Sequence, residues 1–127
     1  AYQKKAEIMK MLSENNCEEV QQKGIELAKT MGYIGDFVQP FFEGESKSLW
    51  KNCAKVISER TDDELTNWLL VCSFWLQDMN HPGAEIIAER LKAFSNKEKS
   101  MRENQNAITI AEIIGDEEWI DNLKEWL

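Results

Sequence analysis

The apolar side chains of residues 65–76 recur at helical spacing and run directly into a polar stretch at residues 75–84. Positions i, i+3, i+4 and i+7 lie on one face of a helix, and this face carries Leu65, Trp68, Leu69, Cys72, Trp75 and Leu76. The polar stretch reads Trp-Leu-Gln-Asp-Met-Asn-His-Pro-Gly-Ala, and its proline, Pro82, suits the first turn of a second helix. Two amphipathic helices joined by a short polar bend form a helical hairpin. This pattern limits the chain to folds built from packed helices.

The same periodicity recurs along the chain and predicts about eight helices, each about 8–18 residues long, joined by short connections. Helix starts are indicated at Asn16 and Thr61, because each is followed three residues later by a glutamate, the spacing of a capping box. Asp116 is expected to cap the last helix. Residues 97–104 fit either an exposed helical turn or a loop. No run alternates like a strand, so the predicted class is all-α.

Length and cysteine content bound the organisation of the chain. The 127 residues suit one domain spanning residues 1–127. Cys17, Cys53 and Cys72 are odd in number, widely spaced and without a CxxC motif, which favours reduced thiols and a cytoplasmic location. The longest apolar run, at residues 68–76, is far shorter than the roughly 20 residues that cross a bilayer. We therefore expect no association with a membrane.

The net charge of −8 is carried by the second half of the chain. Residues 1–60 hold nine basic and nine acidic side chains, whereas residues 61–127 hold six basic and fourteen acidic ones. An acidic half repels the phosphates of nucleic acids and attracts a basic protein. We therefore expect a basic protein partner and no nucleic-acid partner. Solubility and the placement of carboxylates at helix N-termini also account for this asymmetry.

The corners between the predicted helices form a degenerate repeat. Residues 34–36 and 114–116 both read Ile-Gly-Asp, and each is expected to end one helix and begin the next. A short helix is expected after the first of these corners, with Pro40 in its first turn and with Phe41 and Phe42. Residues 57–64 and residues 75–84 mark two more corners. The irregular spacing of the corners indicates degenerate repeats rather than a strict array.

These corners, with alanine, leucine or isoleucine before Gly-Asp, resemble those of HEAT-like α-hairpin repeats. Residues 70–127 are more specifically similar to a small, uncharacterised bacterial family with a Trp-Leu-Gln-Asp-x-Asn-x-Pro-x-Ala signature, although His81 stands where that family more often has tryptophan. The resemblance implies an all-α, HEAT-like helical-hairpin solenoid. It also implies a scaffold that binds other proteins.

Two acidic triplets at predicted helix starts are candidates for an acidic rim around a protein-binding surface. Carboxylates at a helix start also stabilise the helix dipole. Trp119 and Trp126 are candidate anchors for a partner, although core packing is the more common role of such tryptophans. The predicted partner-binding residues are therefore Asp62, Asp63, Glu64, Asp116, Glu117, Glu118, Trp119 and Trp126.

The residues Asp78, Asn80, His81 and Pro82 are expected to form a structural corner. In this interpretation Asn80 or His81 caps the helix that Pro82 begins, and Asp78 accepts backbone N–H groups. His81 is the sole histidine, and the sequence has no nucleophile elbow and no glycine-rich phosphate loop. We therefore expect no catalytic residues, no metal site and no cofactor.

The sequence thus predicts a non-enzymatic protein-binding module. One form of such a module is an immunity or inhibitor protein that masks a basic toxin. Two other classes stay open. A HEAT-like module that binds nucleic acid or acts in base repair would need a basic groove with aromatic side chains. A small enzyme would need a catalytic motif that the sequence does not reveal.

Overall fold

The computed structural model describes residues 2–40 and 47–127. Within these ranges the chain is helical and contains no strand, which confirms the predicted all-α class. The eight α-helices of the described residues are α1 (Tyr2–Met11), α2 (Glu18–Ala28), α3 (Trp50–Ser58), α4 (Asp62–Leu65), α5 (Leu69–Cys72), α6 (Ala84–Lys92), α7 (Lys97–Ile114) and α8 (Glu117–Trp126). Shorter 3-10 segments span Ile34–Phe37, Lys47–Leu49 and Ser73–Gln77. No described helix is both long and apolar enough to cross a lipid bilayer.

The helices pack both against neighbours along the chain and against helices distant in sequence. α1 packs on α2, and α7 packs on α8, so that each end of the chain forms a helix pair. Between the two pairs, α3 contacts both α2 and α6, while residues 73–77 contact α6 and α8. One core links these contacts, and its largest fully buried side chains include Trp75, Trp119, Phe37, Leu12, Ile57, Leu65, Leu76, Ile87 and Leu123. Burial of each such side chain contributes roughly 1.5–3 kcal/mol, which fixes the helix pairs against each other.

Two of the three predicted helix caps are present. Thr61 Oγ1 accepts a hydrogen bond from the Glu64 N–H at 3.2 Å, and Glu64 Oε1 accepts one from the Thr61 N–H at 3.1 Å. Asp116 Oδ1 accepts a hydrogen bond from the Trp119 N–H at 3.0 Å and thereby caps α8. The prediction for Asn16 was wrong. Its side-chain amide donates to the carbonyl of Lys10 at 2.8 Å and so completes the end of α1.

The helix predicted across residues 65–76 is interrupted. α4 ends at Leu65 and α5 begins at Leu69, while Trp68 between them adopts φ −118° and ψ 2°. The indole of Trp68 packs edge-on against Tyr33, with 5.5 Å between the ring centroids. After α5 the chain continues as the 3-10 segment at Ser73–Gln77, which winds about three residues per turn. Tertiary contacts of the large side chains therefore override the helical periodicity of the sequence.

The two Ile-Gly-Asp corners differ in structure, so the predicted equivalence was wrong. Gly115 adopts φ 76° and separates α7 from α8. Gly35 instead lies inside the 3-10 segment Ile34–Phe37, and Asp36 forms an ion pair with Lys5 at 2.8 Å. The short helix expected after Asp36 is this 3-10 segment, which ends before Pro40. The expected contributions of Phe41 and Phe42 lie outside the described residues.

Residues 97–104, which fitted either a helical turn or a loop, form the first part of α7. The side chain of Asn96 accepts a hydrogen bond from the Lys99 N–H at 3.1 Å and caps this helix. On its core side α7 fully buries the small side chains of Ala107 and Ala111. Ile108 and Ile110 of the same helix are partly buried against the core.

Candidate functional site

The corner at residues 78–82 is closed by hydrogen bonds between its own residues. Asp78 Oδ1 accepts a hydrogen bond from the Asn80 N–H at 2.8 Å, and the Asp78 carbonyl accepts one from the His81 N–H at 2.9 Å. The indole Nε1 of Trp75 donates to the Pro82 carbonyl at 2.9 Å, and His81 Nδ1 lies 3.2 Å from the Trp75 carbonyl oxygen. These contacts are those of a tight turn anchored to the core by Trp75.

The cap of α6 differs from the one predicted. Gly83, and neither Asn80 nor His81, occupies the N-cap position, with φ 87°. A Cβ atom added at Gly83 would lie 2.6 Å from the Cβ of Ala54 on α3. Glycine is therefore needed both for the backbone conformation and for the close approach of α3. The Pro-Gly dipeptide, a common turn signal, could have revealed this position in the sequence.

The first acidic triplet is largely engaged within the fold. Asp62 accepts hydrogen bonds from the Ser95 N–H at 2.9 Å and from Arg90 at 2.5 Å. These bonds, led by Ser95, lower the pKa of Asp62 to about 2. Glu64 pairs with Arg60 at 2.9 Å, and this hydrogen bond lowers the pKa of Glu64. Asp63 is exposed. The triplet therefore contributes mainly to internal structure.

Arg60 connects this triplet to the N-terminal helix pair. Its side chain is buried, and its guanidinium donates to the carbonyl of Ala28 at 3.1 Å and to that of Met31. The Arg60 carbonyl in turn accepts a hydrogen bond from Arg90 at 2.9 Å. Carbonyls at a helix end lack partners within the helix. Arg60 supplies a donor to the carbonyl of Ala28, the last residue of α2, and to that of Met31 in the segment that follows. This network joins the ends of α2, α3 and α6.

The second acidic triplet begins a continuous acidic surface. Asp116 caps α8, while Glu117 and Glu118 are exposed. At 3.6 residues per turn the solvent side of α8 also carries Asp121 and Glu125, both exposed. Among residues 2–40 and 47–127, none of these four exposed carboxylates has a cationic group within 4.0 Å. We call Glu117, Glu118, Asp121 and Glu125 the acidic face of α8.

The two tryptophans of α8 occupy different environments. Trp119 is fully buried, donates its indole N–H to the Ser73 carbonyl at 3.1 Å, and packs edge-on against Phe74 at 4.9 Å. Its predicted role as a partner anchor is therefore corrected to a core role. Trp126 is half-buried and lines a groove of about 320 Å³ between α6 and α8. We call this groove, lined by Ala88, Glu89, Lys92, Glu125 and Trp126, the Trp126 groove.

The two acidic triplets do not form one rim. Asp62 binds Ser95, just before α7 begins, whereas Asp116 follows the end of α7. α7 has 18 residues and is therefore about 27 Å long. This length separates the triplets. Of the predicted partner-binding residues, the structure brings together Glu117, Glu118 and Trp126 on one helix, and it adds Asp121 and Glu125, which the sequence reasoning did not single out.

The Cys72 thiol and the His81 ring lie outside this surface, in packed surroundings. Burial raises the pKa of the Cys72 thiol to about 12, so it stays protonated and unreactive. The His81 ring packs edge-on against Trp50 at 5.0 Å. Across residues 2–40 and 47–127, no three His, Cys, Asp or Glu side chains converge as metal ligands would.

No protein-family model, curated protein or solved structure matches the chain.

Proposed function

We propose that this chain is a non-enzymatic protein-binding module that recognises a basic segment of a partner protein along α8. The observation that carries the proposal is the acidic face of α8, whose four carboxylates lack cationic partners in the described part of the chain. This face ends at the half-buried indole of Trp126 and its groove. Charge and an aromatic anchor therefore occur on the same helix.

The acidic face would act first on the encounter with the partner. Its four carboxylates are spread over a helix about 14 Å long, and Lys124 is the single cation of α8. At physiological ionic strength the Debye length is about 8 Å, so neighbouring carboxylates act together on an approaching cation. Such complementarity raises association rates more than it slows dissociation.

The Trp126 groove would hold the segment once it has docked. The indole face attracts an arginine or lysine side chain through a cation–π interaction. Glu89, Lys92 and Glu125 also line the groove, so its net charge is −1. The groove therefore suits one inserted cationic side chain, with the remaining basic residues along α8.

The proposal also includes a HEAT-like arrangement of the helices and a cytoplasmic location of the protein. A HEAT-like arrangement is supported by the helix pairs at the two ends of the chain, α1 with α2 and α7 with α8. A reducing, cytoplasmic setting is supported by three free cysteines. An inhibitor-type or immunity-type role, in which this small acidic chain masks a basic surface, is one form that such binding would take.

The test uses a fluorescein-labelled peptide of alternating arginine and alanine, with a glutamate–alanine peptide as its counterpart. Fluorescence anisotropy at 0.15 M salt is expected to show saturable binding of the arginine peptide alone. The variant Glu118→Lys/Asp121→Lys is expected to abolish binding, and Trp126→Ala is expected to weaken it. The matched control is Glu7→Lys/Glu14→Lys, because both residues are exposed in the N-terminal part of the chain.

Each double variant changes the net charge from −8 to −4, so the comparison separates position from total charge. Equal loss of binding in the two double variants would show that the peptide senses only net charge, and the proposal would fail. Saturable binding of duplex DNA at the same salt concentration, without binding of the arginine peptide, would favour the nucleic-acid-binding class instead.

A further inference from the structure

Three of the four large apolar side chains that are exposed in the described structure lie on α7. They are Met101, Ile113 and Ile114, with 71%, 78% and 59% of their surface accessible. The core side of the same helix fully buries Ala107 and Ala111 and partly buries Ile108 and Ile110. A surface helix normally points its bulky apolar residues inward, so the three exposed side chains depart from this pattern.

Two of these side chains are adjacent and lie beside the acidic face of α8. Ile113 and Ile114 end α7, and Gly115 and Asp116 connect them to Glu117. The Cα atoms of Ile114 and Glu117 are therefore at most about 11 Å apart. A Cβ atom added at Gly115 would meet no atom within 4 Å, so open space surrounds this connection. The exposed apolar pair therefore lies close to the first carboxylates of α8.

The charges around Ile113 and Ile114 indicate which kind of partner binds over these two side chains. Glu112, Glu117 and Glu118 are exposed next to the pair. In a symmetric dimer formed through the isoleucines, these carboxylates would face those of the second copy, and like charges at such a contact are unfavourable. A partner segment with both apolar and basic residues would bury the isoleucines and pair with the carboxylates at the same time.

We propose that Ile113 and Ile114 seat a large apolar side chain of the same basic segment that binds along α8, so that the segment docks in one orientation. This inference rests on the proposed function and adds to it the order of apolar and basic residues in the partner's segment. The segment carries an apolar residue at one end, basic residues in the middle, and a cation for the Trp126 groove at the other end. The two end sites are separated by the length of α8, about 14 Å.

The experiment compares the arginine–alanine peptide with the same peptide extended by two leucines at one end. The leucine-bearing peptide is expected to bind the wild-type protein about tenfold more tightly, because two apolar side chains leave water. Ile113→Ser/Ile114→Ser is expected to remove this gain and to leave binding of the arginine–alanine peptide unchanged. Met101→Ser is the matched control, since Met101 is equally exposed on α7 but lies three turns away.

A spin label on the leucine end of the peptide is expected to broaden the methyl resonances of Ile113 and Ile114 more strongly than the indole resonance of Trp126. A label on the other end is expected to reverse this order. Circular dichroism of each variant checks that the helices are retained. The same relative broadening of the two sites by both labels would contradict the single orientation.

The outcomes separate the two proposals. If the arginine–alanine peptide binds but the leucines add nothing, the isoleucine site is wrong and the proposed function stands. If neither peptide binds, the proposed function is wrong. If sedimentation shows a wild-type dimer that Ile113→Ser/Ile114→Ser converts to a monomer, a second copy covers the isoleucines and this inference is overturned.

Discussion

The indole N–H of Trp75 donates a hydrogen bond to the carbonyl of Pro82 at 2.9 Å, which ties the core to the turn before α6. Trp75 is fully buried, and the His81 ring nitrogen Nδ1 lies 3.2 Å from its carbonyl oxygen. The side chain and the backbone of one core residue therefore both contact the corner. The position of α6 depends on this pair of contacts.

Replacement of Trp75 by phenylalanine should destabilise the protein by about 3–5 kcal/mol. The change leaves the Pro82 carbonyl without its donor, at about 1–3 kcal/mol, and opens a cavity in the core. Urea denaturation followed by circular dichroism measures the loss. Trp126→Phe, at a half-buried site, is the control and should cost far less. Similar losses in the two variants would contradict the assigned role of Trp75.

Gly83→Ala should destabilise the protein more than Gly115→Ala. Both glycines adopt positive φ, 87° and 76°, so both substitutions carry the conformational cost of about 1–2 kcal/mol. Only at Gly83 does the new Cβ also meet Ala54, at 2.6 Å, whereas Gly115 has no atom within 4 Å. Thermal or urea unfolding of the two variants gives the difference. An equal effect would show that α3 and α6 are not in close contact at this point.

Low pH should lower the stability of the folded protein, partly because the carboxylate of Asp62 becomes protonated. Its pKa is lowered from 3.8 to about 2 in the folded state, so its charged form stabilises the fold above about pH 4. That contribution is lost as the pH falls from about 4 towards 2. Asp62→Asn should therefore be less stable than wild type at pH 7 and lose less stability over this acid range. Asp63→Asn, at the exposed neighbour, should follow the wild-type curve.

Arg60→Met should destabilise the protein by about 2–4 kcal/mol, because the buried hydrogen bonds from its guanidinium to the carbonyls of Ala28 and Met31 are lost. Glu64 also loses its ion-pair partner. The control is Lys29→Met, which breaks the exposed ion pair between Lys29 and Glu59 and should have little effect. Chemical denaturation compares the two. A stable Arg60→Met protein would show that the ends of α2 and α3 do not depend on this guanidinium.

Local features of the fold were predictable from the sequence where a side chain forms a hydrogen bond with backbone only a few residues away. Thr61 and Asp116 cap helices as predicted, because each bonds an N–H three residues further on. Asn16 has the same local pattern but bonds the carbonyl of Lys10, six residues back, which spacing alone does not reveal. The break at Trp68 was likewise missed, since it accompanies packing against the distant Tyr33.

The candidate site was predictable only in part, for a similar reason. Trp119 and Trp126 are seven residues apart on one helix, and the sequence treats them alike. The structure separates them because the Ser73 carbonyl and the Phe74 ring cover Trp119, whereas Trp126 borders a groove. Asp62 and Glu117 also look equivalent, yet Asp62 is bound by Arg90 while Glu117 faces solvent. Such differences depend on residues far apart in the chain.

The fully buried side chains of α7 are small, so this helix should unfold locally more readily than α8. The fully buried residues of α7 are two alanines, and Ile108 and Ile110 are only partly buried against the core. Detaching α8 instead exposes the fully buried Trp119 and Leu123, which present more apolar surface. Local opening costs free energy in proportion to the apolar area that it uncovers. Backbone amides in the middle of α7 should therefore exchange with solvent deuterium sooner than those of the shorter α8, even though α7 is the longest described helix.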